Sequence, residues 1–135
     1  MNSRYLLAGV VVLALVVLGS FGLSQITGFA VSGGKNPEVQ INIDDGKTTF
    51  TYTITISPRD SAFDALKRVA VVDYKIYATG ILITAINGVK QDDEHYWLYF
   101  VNGELPETGC DYYHPNDGDV ITFRYLSAEE AADYF

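Results

Sequence analysis

Apolar and polar positions along the chain change period several times, and each change marks an element. An uncharged, strongly apolar run, YLLAGVVVLALVVLG, opens the sequence and thins into SFGLSQITGFAVSGG, so that no charge occurs between Arg4 and Lys35. Val39, Ile41 and Ile43 then alternate with Gln40, Asn42 and Asp44, the turn-forming Asp44-Asp45-Gly46-Lys47 follows, and TFTYTITI alternates from Thr49 to Ile56. Period-two patterning on both sides of such a turn predicts a β-hairpin. Its second strand puts Phe50, Tyr52, Ile54 and Ile56 on a core face and four threonines on a wet one. Pro58 ends that strand. Ser61 with Asp64 three residues later reads as a capping box, and Phe63, Leu66 and Ala70 continue at helical spacing with Lys67 and Arg68 toward the negative end of the dipole. One short helix is expected there.

Beyond Asp73, YKIYATGILITAINGVKQ predicts two short strands broken at Thr79-Gly80, with a turn at Asn87-Gly88. HYWLYFV, residues 95–101, carries large side chains on both alternating faces, the pattern of a strand covered on both sides. Asn102-Gly103 turns the chain, Pro106 to Gly109 is loop, and DVITFRYL after Asn116-Asp117-Gly118 is the last strand. The tail SAEEAADYF offers a helical turn begun by Ser127 with Glu130 at its third position. Hairpin, helix, then strands gives an α+β domain, β-grasp-like, with a mostly antiparallel sheet and one short helix.

The opening run divides the chain. At about 1.5 Å per residue, a helix from Tyr5 to Leu23 matches the roughly 30 Å hydrocarbon core, so an N-terminal transmembrane helix is expected in residues 1–23, and 24–37 read as a flexible tether to a domain at 38–135. Arg4 on the leading side orients the domain to the extracytoplasmic face of the cell membrane as a single-pass protein. A cleaved signal peptide, giving a secreted protein, is the alternative, because Ala30-Val31-Ser32 resembles a small-x-small cleavage site.

Charge narrows the function classes. From Lys35 onward eight Lys and Arg face seventeen Asp and Glu, a net charge of −9, which repels a nucleic-acid backbone. The single Cys110 excludes an internal disulfide and any multi-cysteine metal centre. His95 and His114 lie near Asp92, Asp93, Glu94 and Asp111 without a ligand spacing, Asn116-Asp117-Gly118-Asp119 departs from a calcium loop, and no metal site is expected. Cys110 lacks a positioned base, Asp64 is better explained as a cap than as a catalytic carboxylate, and no catalytic residue is expected.

SAFDALKR, ILITAINGV, HYWLYFVNGELPETGCDYY and GDVITFRY, in that order, resemble the transcobalamin-like C-terminal domain family from about Val39 to Tyr125. That resemblance implies a non-catalytic module. In the family's cobalamin carriers the domain covers one face of the corrinoid while a larger helical barrel holds the other, so cobalamin binding here would need a partner chain to supply the second wall. The ligand-binding candidates are Trp97, Tyr96, Tyr99, Asn102 and Tyr112, with Trp97 first because large amphipathic aromatics are enriched at binding surfaces. The leading expectation is a membrane-tethered extracytoplasmic binding module for a small molecule such as a corrinoid, or for a protein or peptide partner. The alternative is a structural or assembly module of a cell-surface complex.

Overall fold

Asp44 and Asp45 make the first turn: their carboxylates accept the amides of Gly46, Lys47 and Thr48, and Gly46 takes φ +87°, which favours glycine. The flanking strands β1 (Glu38–Asp44) and β2 (Thr49–Thr55) pair antiparallel, Glu38 opposite Thr55 and Asp44 opposite Thr49. The threonines of β2 face solvent as expected, while Phe50, near the turn and beyond the core, is 44% exposed. This computed structural model describes residues 34–135; the expected transmembrane helix and nearly all of the tether lie outside the described residues. Pro37 already belongs to the folded part, buried and accepting the Ile56 amide.

The helix α1 (Ala62–Val69) begins at the capping box, Ser61 Oγ accepting the Asp64 amide and the Asp64 carboxylate accepting the Ser61 amide. That amide bond is also the main reason the Asp64 carboxyl sits below its usual range. Ala62, Phe63, Ala65 and Leu66 are buried, and Arg68 ties the far end back to Asp60 and to the Thr55 carbonyl.

The strands that follow are β3 (Val72–Tyr77), β4 (Gly80–Ile86), the two-residue β5 (Val89–Lys90), β6 (His95–Val101) and β7 (Val120–Ser127), and the chain ends in the short helix α2 (Ala128–Ala132). They form two sheets rather than the one that was expected. β2-β1-β7-β6 make a four-stranded sheet, antiparallel except for the central parallel pair β1 and β7, and β3-β4-β5 make a second of three strands. The division has a local cause. β4 meets β5 over only Ala85 and Ile86, a register shift falls between Asp73 and Tyr74, and β6 takes β7 as its partner instead of the preceding hairpin.

The central parallel pair sets Ile41 beside Ile121 and Ile43 beside Phe123, and these four with Val39, Ile56 and Leu66 are fully buried. The opposite face of the sheet has a smaller core of Phe100, Leu126 and Ala131, closed by α2, Leu98 and Leu105. β6 therefore contributes to both cores, Trp97 to one and Phe100 to the other, as its two-faced sequence requires.

Asp119 holds the long segment between β6 and β7. Its carboxylate accepts from Asn102 Nδ2 at 3.0 Å, Tyr113 Oη at 2.6 Å and the Asn116 amide at 2.9 Å. Burial pushes this carboxyl up, but the three hydrogen bonds outweigh burial and hold it below its ordinary value; the Tyr113 phenol, partly desolvated and donating to that carboxylate, is pushed up to about 12. A folded-state value below the unfolded one, about 3.9, means that this stabilisation is present at neutral pH and is lost as pH falls through the folded value. Asp119→Asn should therefore cost roughly 1–3 kcal/mol at neutral pH, with a smaller difference from wild type in strong acid, by urea denaturation at both pH values. An equal difference at the two pH values would contradict the assignment.

Candidate functional site

The large side chains of β6 divide by parity. Trp97, Tyr99 and Val101 point to the main core, and Tyr96, Leu98 and Phe100 to the α2 side. Trp97 is 6% exposed, and its indole N–H donates to the Val89 carbonyl at 2.8 Å, joining the second sheet to the first. It is thus a bridge between sheets with one edge lining a cleft, and not an open aromatic platform. Tyr99 stacks on Phe123 at 6.1 Å, its hydroxyl donates to the Thr108 carbonyl, and burial raises its phenol. Tyr96 is 39% exposed, with its hydroxyl near the Asp93 carbonyl.

Two other candidates stand apart. Asn102 adopts φ +51° and commits its side chain to the fold, donating to Asp119 and accepting the Val120 amide. Tyr112 is 57% exposed on the loop against which the β3–β4 hairpin tip rests, with a Cβ on Gly80 falling 3.2 Å from its ring. The structure brings Trp97 and Tyr96 to one cleft, puts Tyr99 on a smaller adjoining one, and leaves Asn102 and Tyr112 elsewhere.

The main cleft, about 510 Å³, lies between β4, β6 and α2 and is lined by Leu82, Tyr96, Trp97, Leu98, Ala131 and Phe135. Its volume falls within the roughly 300–1,000 Å³ of small-molecule sites. Leu82 and Phe135, at 41% and 87% exposed, are apolar groups the core does not use. The sequence reading missed them. Leu82 was legible as an apolar position on the face of ILITAI opposite Ile81 and Ile83, but the meeting of β4 with the C-terminal helix depends on tertiary packing. The second cavity, about 110 Å³, lies between the same two strands on the core side, against Ile81, Ile83, Cys110 and Phe123, and shares Leu82, Trp97 and Leu98 with the first.

Reactive groups near these cavities are mostly engaged; the exception is Asp111, beside Cys110, whose Oδ1 is buried with no hydrogen-bond partner. Cys110 is 4% exposed and its thiol is pushed up to about 12, first by burial and then by Asp111. His95 Nδ1 lies 3.0 Å from Asp92 Oδ1 and its ring stacks on Tyr125, while His114 Nδ1 lies 3.2 Å from the Asp60 carbonyl. In the Asn116–Asp119 turn, Asp117 accepts the Glu38 amide and Asp119 is the hub described above. Among the described residues no group of three or more His, Cys, Asp or Glu side chains is placed to hold a metal ion. A polar hollow of about 350 Å³ near Asp44, His95, Arg124 and Glu130 is lined by paired groups: Arg124 lies 3.6 Å from Asp44 and Glu130 caps α2.

No curated protein sequence matches this chain. Among solved structures, a candidate metal binding protein from Ruminococcus gnavus ATCC 29149 matches with a TM-score of 0.62 at 18% identity, covering 68% of this chain and 98% of that one. Haptocorrin in complex with Cbi matches with a TM-score of 0.64 at 16% identity, covering 72% of this chain and 26% of that one, so this chain spans about a quarter of haptocorrin. Identities this low show a shared fold alone, which supports the resemblance to transcobalamin-like domains at that level. Residues 59–127, from the approach to α1 through the end of β7, match a family model, and the chain belongs to that family, described as a domain of unknown function (DUF4430).

Proposed function

We propose that this protein is a non-catalytic binding module, held at the extracytoplasmic face of a cell membrane by residues 1–23, that takes its ligand in the apolar cleft between β4, β6 and α2. The observation that carries the reading is the cleft itself: about 510 Å³, walled by Leu82, Leu98, Ala131 and Phe135. An apolar concavity rimmed by Tyr96 and Gln91 gains binding energy by excluding water, and needs no reacting group. The fold shared with haptocorrin, solved in complex with Cbi, supports a small-molecule ligand. A whole corrinoid is larger than this cleft, so a corrinoid would be gripped here on one side and closed over by a partner chain. The reading without turnover is supported by the structural duties of the Asp64 and Asp119 carboxylates, which cap α1 and hold the β6–β7 segment, and by the burial of the Cys110 thiol, pushed up to about 12.

One observation favours the assembly reading as well. β3 is an edge strand whose Tyr74, Ile76 and Tyr77 are 42%, 76% and 53% exposed. Unpaired apolar edges of this kind are sites of protein association.

Trp97 is the chain's one tryptophan and borders the cleft, so its emission reports occupancy. Titrating the full chain with the neutral apolar dye Nile red, and separately with cyanocobalamin, should give a saturable change with at least the dye, weakened about tenfold or more in Leu82→Lys. No response to either compound would remove the cleft as a binding site. Cys110 should resist alkylation at neutral pH in the native chain and react readily in urea; rapid native alkylation would contradict its placement.

A further inference from the structure

β3 is the outer strand of the second sheet and pairs along one edge, with β4. The Asn87 amide donates to the Val71 carbonyl, one step beyond the pair Val72–Ile86, and this fixes which residues of β3 bond to β4. The extra residue at the register shift, Thr84, belongs to β4, so alternation along β3 is unbroken. Asp73, Lys75 and Tyr77 therefore bond to β4, and Val72, Tyr74 and Ile76 turn their backbone groups to the open side. Among the described residues no other segment of backbone bonds to those groups. Phe63 packs edge-on against Tyr74 at 4.8 Å and holds its ring on the α1 side of the sheet, out of the plane in which a strand would add.

The chemistry of this strand reads the same in both directions. In VVDYKIY, residues 71–77, an antiparallel two-fold at Tyr74 sets Tyr74 opposite itself, Val72 opposite Ile76, Val71 opposite Tyr77 and Asp73 opposite Lys75, each pair formed across two copies. The same axis puts the open-side residues Val72, Tyr74 and Ile76 into bonded pairs, as an antiparallel ladder requires, and the opposite charges into the closer non-bonded pairs. An axis one residue away, at Asp73 or at Lys75, would set like charges face to face. The groups that would pair are available: Val71 and Ile76 are 74% and 76% exposed, and among the described residues neither Asp73 nor Lys75 makes an ion pair.

From this we infer that β3 recognises itself: two copies of the chain pair antiparallel through this edge about Tyr74, joining their three-stranded sheets into one of six strands. The inference rests on the assembly reading of the edge, names its partner, and does not depend on the cleft. A lone lysine on an edge strand keeps other strands away. Here the two-fold sets Lys75 against Asp73, so its charge selects this register and no longer guards the edge. The net charge of −9 from Lys35 onward opposes self-association, but between Lys67 and Lys90 four basic residues accompany the single acid Asp73, so the region around β3 carries none of that excess.

The test is sedimentation equilibrium of the full chain in excess detergent micelles, up to about 0.1 mM. Wild type should dimerise reversibly. Asp73→Lys and Lys75→Asp should each weaken the dimer about tenfold or more, although they move the net charge in opposite directions, while the double exchange returns to within about threefold of wild type and an equimolar mixture of the two single variants pairs as well as wild type does. Tyr74→Cys should be joined between copies by a short thiol crosslinker, since paired backbones lie about 5.5 Å apart there, and the more exposed Ile76→Cys should not, its two copies lying about 14 Å apart along the strand. A chain that stays monomeric would overturn the second copy and leave the edge to a different protein. A dimer indifferent to the charge variants, or one in which Ile76→Cys is joined as readily as Tyr74→Cys, would place the contact elsewhere or in another register and overturn the proposal too.

Discussion

β6 carries large apolar side chains on both faces and is paired along a single edge, and the shape of the domain follows from reconciling those two facts. Its inner face enters the main core through Trp97, and its outer face is covered by α2 through Phe100, Leu126 and Ala131. The edge is harder to satisfy, because strand pairing in the first sheet ends there. The β3–β4 hairpin comes alongside without joining the ladder, and the Trp97 indole spans to Val89 to keep it there. The cavities are what remains between two strands held close by side chains and not by backbone bonds.

The hairpin is held from its tip as well. A Cβ at Gly109 would lie 2.8 Å from Asp111 Oδ1, and one at Gly80 3.1 Å from the same atom, so the tip of β4 sits tightly on the 109–112 loop. That loop is in turn fixed by Tyr113 through Asp119 and by the amides of Ala62 and Phe63, which donate to the Tyr113 and Cys110 carbonyls. The walls of the cleft are therefore built on interactions far apart in sequence. Pre-positioned walls lower the ordering cost of binding.

Local structure was legible in the sequence wherever one short pattern decided it. The β1–β2 hairpin, the Ser61–Asp64 and Ser127–Glu130 capping boxes and the two-sided burial of HYWLYFV all follow from neighbours a few residues apart. The split into two sheets was not legible, because it depends on whether β6 pairs with the hairpin before it or with β7 after a long loop, and alternation is the same in either case. The site follows the same division. Trp97 and Tyr96 stood out by residue type and do border the cleft, but residue type said nothing of the Val89 carbonyl that occupies the indole N–H. Asn102, whose Asn-Gly step marks a turn in the sequence, serves that turn. Leu82, Ala131 and Phe135 gave no signal as a group, because three separate elements bring them together.

Residue-resolved amide hydrogen exchange of the unliganded full chain tests the free edge most directly. Tyr96, Leu98 and Phe100, which share the bonded parity with β7 that Asn102–Val120 and Glu94–Ala128 fix, should exchange slowly, and Trp97 and Tyr99 distinctly faster, in strict alternation along one strand. Uniform protection across all five, with matching protection in β4 from Gly80 to Thr84, would mean that the two sheets are joined there, leaving no free edge beside the cleft.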